Sequence, residues 1–280
     1  MNENLIGVDG CEIACDLDLP LALGRKPCPI VVILHGFKGF KDWGFFPELA
    51  ARLAADGLAA VRINFSHNGV GLGNESQGFT RLDLFRKNRA SYELRDLQTV
   101  VEALEEGTLF PSASPNLDRQ RLGFLGHSRG GPIAILAAAR RADTPVMTWA
   151  SVRRLAWSEQ QAEVFRSEGK LEIPNARTGQ IMTLDRSAFD DLNPLPAELD
   201  VDPALKILGA RFAGLHGRED RAVALESLES LYAASWQALP TTSIISGADH
   251  VMNCRHPFLA ATLEFDAAVG LTLAHFNQSL

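Results

Sequence analysis

The chain is poor in cysteine and has no long hydrophobic run. Its four cysteines, Cys11, Cys15, Cys28 and Cys254, do not show the spacing with histidine that zinc sites have. We therefore predict isolated thiols in a reducing compartment and no bound metal. No apolar stretch approaches the roughly 20 residues of a membrane helix, so a membrane is not an expected partner.

The chain also lacks an excess of positive charge. Lys and Arg number 27 against 34 Asp and Glu, which gives a formal net charge of −7, and no Lys/Arg run suggests a polyanion site. Nucleic acid is therefore excluded as an expected partner. Residues 1–4 lack the basic region of a signal peptide, so we expect a soluble cytoplasmic protein. The sequence does not determine the oligomeric state, and a homodimer is compatible with it.

The most informative stretch that is present is Gly126-His127-Ser128-Arg129-Gly130, which matches the pattern G-x-S-x-G. Residues 121–125 are typical of a short buried strand, and residues 132–139 are typical of a helix. Two glycines without Cβ atoms let strand and helix approach while the serine takes a strained backbone conformation. The pattern predicts a nucleophilic Ser128 on a sharp turn between the two elements.

A serine hydroxyl needs a base that is held by a third group. Asp220 follows one short apolar strand and His250 follows a later one. Open α/β sheets place their sites at this carboxyl edge of the strands. We predict that His250 is the base and Asp220 the acid; Glu219 and Asp249 remain alternatives for the acid.

The loop after an early strand is the candidate for binding an oxyanion. Residues 30–34 form a continuous apolar run that leads directly into His35-Gly36-Phe37-Lys38. Acyl transfer creates an oxyanion, which needs preorganised N–H donors. We predict the backbone N–H groups of Phe37 and Arg129 as these donors, with His35 bracing the loop.

With these residues the chain resembles the α/β-hydrolase superfamily, over nearly its whole length. The resemblance implies a mostly parallel sheet flanked by helices, with Ser128 as nucleophile, Asp220 as acid and His250 as base. The doubled glycine after the serine is similar to bacterial esterases and to prolyl-oligopeptidase or dienelactone-hydrolase-like members. The chain departs from dienelactone hydrolases, whose nucleophile is cysteine, and it lacks the HGGG loop of the hormone-sensitive-lipase group.

Strands and helices alternate along the rest of the chain, which favours one α/β domain over residues 1–280. Helices are predicted at residues 43–56, 88–106, 221–239 and 258–269. Residues 152–208 exceed what the core fold needs, and we predict a lid there. It should contain a helix at 158–168, a hairpin-like segment at 171–182 and a helix at 200–209.

Three residues are candidates for substrate contact. Trp157 and Met182 are expected to line the pocket from the lid, unless they only pack the lid onto the body. His67 lies in the glycine-rich segment 64–80. The sequence is equally compatible with a His67 that faces the ligand and with one that braces the loop. No GK[ST] follows these glycines, so a nucleotide site is not predicted.

The sequence thus predicts a serine hydrolase that cleaves carboxylic esters of short to medium acyl chain and needs no metal or organic cofactor. The alternative is a peptidase or amidase of the prolyl-oligopeptidase type, since the same three residues can cleave an amide. A non-catalytic binding protein with the same residues is the third hypothesis.

Overall fold

The computed structural model describes residues 1–21, 26–73, 78–175 and 178–280. Within these ranges the strands, β1 to β10 in chain order, are Asn2–Ile6, Glu12–Asp18, Cys28–Leu34, Ala59–Ile63, Leu117–His127, Val146–Trp149, Lys170–Pro174, Ile181–Asp185, Phe212–Gly217 and Ile244–Ile245. The helices, α1 to α9, are Phe46–Ala55, Leu82–Phe85, Ala90–Glu106, Gly130–Ala139, Glu159–Glu168, Arg186–Asp190, Val201–Leu208, Glu226–Ala234 and Leu263–Ser279.

In the described part of the chain, eight strands form the central sheet in the order β1-β2-β4-β3-β5-β6-β9-β10. β2 pairs antiparallel with β1 and with β4, and every other neighbouring pair is parallel. Parallel neighbours require crossovers, which the helices supply. The predicted mostly parallel sheet flanked by helices is confirmed. Because they are parallel, β3, β5, β9 and β10 place the loops that follow them at one edge.

The sheet is covered on both faces because its central strands are apolar throughout. In β3, Ile30, Val32 and Leu34 pack with α3, α4, α7 and α8 on one face. Val31 and Ile33 pack with α1 and α9 on the other. A strand buried on both sides reads as a continuous apolar run rather than an alternating one. This rigid core fixes the ends of the strands that carry the candidate site.

Two helices differ from the sequence prediction at their ends. α8 begins at Glu226 rather than near residue 221, because Asp220 Oδ1 accepts hydrogen bonds from Ala222 N and Val223 N and holds this stretch in a turn. α9 begins at Leu263 rather than at 258, because the Thr262 hydroxyl caps it by accepting from Phe265 N. Strand β1 was not predicted.

The segment 152–208 contains α5, β7, β8, α6 and α7, close to the predicted helix, hairpin and helix. Ser158 begins α5 with a capping box, and Gly169 ends it. β7 and β8 pair antiparallel apart from the central sheet. Residues 176 and 177 of the hairpin, and residues 74–77 of the glycine-rich segment, lie outside the described residues.

Candidate active site

Ser128 lies on the turn between β5 and α4 with a left-handed backbone, φ 54°. This conformation is strained for a residue other than glycine. The turn is held by Ser128 N, which donates to Trp149 O over 2.9 Å. A Cβ on Gly126 would lie 2.3 Å from Gly130 O, so only glycine lets the strand pass this close to the helix. The predicted strand, turn and helix are confirmed.

Asp220 and His250 meet in the loops after β9 and β10. His250 Nδ1 donates to Asp220 Oδ2 over 2.8 Å. The other carboxylate oxygen accepts from Ala222 N at 2.8 Å and Val223 N at 2.9 Å. With Nδ1 held as the donor, the Nε2 atom of a neutral imidazole is left to accept a proton.

A second imidazole, which the sequence analysis missed, contacts the same carboxylate. His216 Nε2 in β9 lies 3.1 Å from Asp220 Oδ2 and 2.9 Å from Val223 O. Both neighbours are acceptors, so Nε2 carries the proton. His216 Nδ1 has no hydrogen-bond partner among the residues described. The only signal in the sequence was a histidine inside an apolar strand, four residues before Asp220.

The carboxyl group of Asp220 is fully buried and remains ionised. Burial raises its pKa, but the hydrogen bonds from His216, His250 and Val223 outweigh this effect and hold the pKa well below its usual range. Neither alternative acid competes. Glu219 is exposed, and Asp249 Oδ1 accepts from Val251 N and Asn253 N within its own turn.

The loop after β3 packs directly against Ser128. A Cβ on Gly36 would lie 2.8 Å from Ser128 Cβ, so the close approach requires glycine. The next amide, Phe37 N, and the amide of Arg129 have no hydrogen-bond partner in the described ranges. Unpaired amides beside a nucleophile are suited to bind an oxyanion.

Side chains around this loop fix its position. Arg129 Nε lies 3.2 Å from Glu93 Oε2 in α3, and the guanidinium carbon is 5.2 Å from the centre of the Phe37 ring. His35 Nδ1 donates to Gly36 O over 2.8 Å, which is the predicted bracing of the loop. These contacts hold the two amides in place between the end of β3 and the buried carboxylate of Glu93.

Two cavities open on either side of Ser128 and His250. The first, of about 410 Å³, is walled by Trp43, Phe46 and Val251. The second, of about 520 Å³, lies under the segment 152–208. Among the described residues no hydrogen bond joins the serine hydroxyl to the imidazole; such bonds are often long before substrate binds.

Of the three residues predicted to contact substrate, only one lines a cavity. Trp157 lines the second cavity, and its Nε1 donates to Ala188 O over 2.9 Å. Met182 lines neither cavity: it is fully buried in the apolar cluster that joins β8 to α5 and α6. His67 is also away from both cavities. Its ring packs on Tyr92 at 4.9 Å and its Nδ1 is 2.8 Å from Ser66 Oγ, because the loop folds back over α3.

Other groups bear on the chemistry available. All four cysteines are free. No group of three His, Cys, Asp or Glu side chains in the described ranges is arranged to hold a metal. None of the helices in this part of the chain has the length and apolar character needed to cross a membrane.

Comparison with known proteins agrees with this architecture. The family model "Alpha/beta hydrolase family" matches residues 31–274. No curated protein sequence matches the chain. The solved structure of Est1E from Butyrivibrio proteoclasticus with bound ferulic acid superimposes with a TM-score of 0.67, at 20% identity, covering 99% of both chains.

Two further structures show the same fold. The esterase domain of a Rhodothermus marinus protein has a TM-score of 0.61 at 16% identity, covering 99% of this chain and 96% of that one. A puromycin-hydrolyzing peptidase of Mycobacterium tuberculosis has a TM-score of 0.62 at 17% identity, covering all of this chain but 39% of that one. With the sheet order and the family match over most of its length, the chain belongs to the alpha/beta hydrolase family.

Proposed function

We propose that this chain is a serine hydrolase that cleaves carboxylic esters of short to medium acyl chain. The observation that carries the proposal is the buried Asp220 carboxylate bound to His250 Nδ1 at 2.8 Å, with that imidazole and the strained Ser128 facing the same two cavities. The esterase among the structural neighbours supports the choice of esters. Hydrolysis of an ester series by the purified chain tests it.

In the proposed reaction, Ser128 Oγ attacks the ester carbonyl carbon while His250 Nε2 takes its proton. The oxyanion is bound by the amides of Phe37 and Arg129. The tetrahedral intermediate collapses, the C–O bond to the alcohol breaks, and His250 returns the proton to the leaving alcohol. Water then attacks the acyl-enzyme with His250 again as base, which releases the acid and restores Ser128. Asp220 stays ionised and stabilises the imidazolium.

We also propose that residues 1–280 form one domain and that residues 152–208 act as a lid within it. The lid supplies Leu155, Trp157 and Gln161 to the wall of the second cavity. It is tied to the body by Lys38 Nζ, which donates to Pro174 O over 3.1 Å.

The pH profile is one test of the base. We expect kcat/KM for p-nitrophenyl butyrate to rise with pH between pH 5 and 9, because the base must lose its proton before it can accept one from Ser128. The rise should correspond to a single ionisation. The measurement is kcat/KM from pH 5 to 9 in buffers of constant ionic strength.

Two buried imidazoles near the site do not titrate in this range. Burial lowers the pKa of His35 to about 4 and, with the nearby His250, that of His127 to about 3, so both are neutral throughout. Burial raises the pKa of Asp96 to about 6, but Asp96 lines neither cavity. Asp96→Asn, with its fold checked by circular dichroism, is therefore the control and should keep the rise. A flat profile would contradict a histidine base.

Acyl-chain length is a second test. We expect kcat/KM for p-nitrophenyl esters to peak between about C2 and C8. Each methylene adds about 0.8 kcal/mol of binding only while the cavity continues. The measurement is a series from C2 to C16, with aminoacyl p-nitroanilides beside it. A maximum at C12 or above, or a jump in rate at micelle formation, contradicts the prediction; faster cleavage of the anilides would instead make the chain a peptidase.

A further inference from the structure

The charges that line the two cavities are unlike those of the chain as a whole. The chain has more acidic than basic residues, 34 against 27. Yet among the described residues no Asp or Glu lines either cavity, whereas Lys38, Arg129 and Arg154 line the second one. The first cavity is walled mainly by apolar side chains, and Lys38 lines it as well. Arg129 and Arg154 therefore line only the second cavity, and Lys38 lies between the two.

Arg129 is already neutralised by the ion pair with Glu93 at 3.2 Å. Lys38 donates to the carbonyl of Pro174, a dipole that does not compensate its charge. Arg154 is exposed and has neither an ion pair nor a hydrogen bond within the described ranges, whereas the adjacent Arg153 pairs with Asp202. Two cations in the second cavity thus lack a counterion.

Both cations lie close to the nucleophile in the fold. Lys38 directly follows the candidate oxyanion donor Phe37. Arg154 lies two residues after Val152, whose N–H donates to Ser128 O over 3.4 Å. Partial burial lowers the pKa of Lys38, which means that the surroundings disfavour its charged form; a bound anion would relieve this cost. A carboxylate offers acceptors to both an ammonium and a guanidinium.

We infer that Lys38 and Arg154 form a subsite for a carboxylate carried by one half of the ester, while the first cavity takes an apolar half. The inference rests on the proposed ester hydrolysis and adds the substrate class: half-esters of dicarboxylic acids, or esters of an alcohol that bears a carboxylate. The carboxylate forms no bond in the reaction and only orients the substrate across Ser128.

The test compares esters that differ only in this charge. Ethyl hydrogen adipate against ethyl adipamate places the charge on the acyl half, and 4-acetoxybenzoate against 4-acetoxybenzamide places it on the alcohol half. In one of the two pairs we expect kcat/KM to be higher for the anion by on the order of tenfold at low salt, and the preference to fall as salt is added. Equal values within both pairs overturn the inference.

Variants identify the groups responsible. Arg154→Gln and Lys38→Gln should each remove most of the preference, measured as the ratio of kcat/KM for anionic and neutral esters, and Arg154→Lys should keep it. Arg153→Gln is the matched control, because it removes the same charge from the neighbouring residue outside the cavity and should leave the ratio unchanged. An equal loss in Arg153→Gln would mean a general field rather than a subsite, which also overturns the inference.

Failure of the proposed function is separable from failure of the subsite. If p-nitrophenyl butyrate is cleaved without any anionic preference, only the subsite is refuted. If no ester is cleaved, the proposed function fails, and calorimetric binding of benzoate then tests the subsite without turnover. Binding that weakens in Arg154→Gln but not in Arg153→Gln supports it, and no binding refutes it.

Discussion

We expect Ser128→Ala to lower kcat for p-nitrophenyl butyrate by on the order of 10⁴ or more, with little change in fold. The variant removes only Oγ, while the turn at φ 54° and its hydrogen bond from Ser128 N to Trp149 O stay as they are. His250→Ala should lose a similar factor, and the double variant should be hardly worse, because the two groups act as a unit. Burst and steady-state kinetics measure these losses.

A buried serine next to the turn provides the control for this prediction. Ser151 lies beside the turn, and its hydroxyl donates to Val152 O over 2.9 Å. Ser151→Ala should keep turnover and should still be labelled by a fluorophosphonate, whereas Ser128→Ala should not be labelled. Near-normal turnover in Ser128→Ala would refute the nucleophile, and loss of labelling in Ser151→Ala alone would transfer the role to that residue.

We expect Asp220→Asn to lower kcat by about 10³- to 10⁴-fold. Four groups donate hydrogen bonds to this carboxylate. They are Ala222 N and Val223 N on one oxygen, and His216 and His250 on the other. Asparagine has one oxygen and one NH₂ group in their place, so its NH₂ group must point at one of these two pairs of donors. If it faces the imidazoles, His250 has to place its proton on Nε2, and the base is lost.

His216→Leu is the matched comparison for Asp220→Asn, since it removes one donor and leaves the carboxylate and its bond to His250 in place. We expect a loss of no more than about 10- to 150-fold, because a single hydrogen bond to a charged group contributes about 1.5–3 kcal/mol. Steady-state kinetics on both variants, with thermal unfolding as a check of the fold, measures the difference. A mild effect of Asp220→Asn together with a severe effect of Glu219→Gln would reverse the assignment of the acid.

The features that could be predicted from the sequence are those that local chemistry fixes. The strand, turn and helix around Ser128 depend on neighbours within a few residues, and so does the apolar run of β3. The order of Ser128, Asp220 and His250 comes from the chain itself. Their mutual placement follows because parallel strands end at one edge.

What could not be predicted depends on how distant segments fold onto each other. His216 reaches Asp220 only because the stretch after β9 turns back, and a histidine in an apolar strand carries no sign of this contact. His67 is buried because its loop covers α3 next to Tyr92. The buried position of Met182 depends on the packing of β8 against α5 and α6. No periodicity in the sequence encodes these three placements.

The residue before the nucleophile links the two ends of the site. His127 Nε2 donates to the backbone carbonyl of His250 over 2.9 Å, across 123 residues of sequence. Its ring is neutral at physiological pH because burial lowers its pKa to about 3. Its single ring proton is therefore on Nε2, and this hydrogen bond does not change across the physiological pH range. The turn that carries the Ser128 hydroxyl and the loop that carries the His250 imidazole are therefore joined directly, which restricts how far the two proposed reacting groups can move apart.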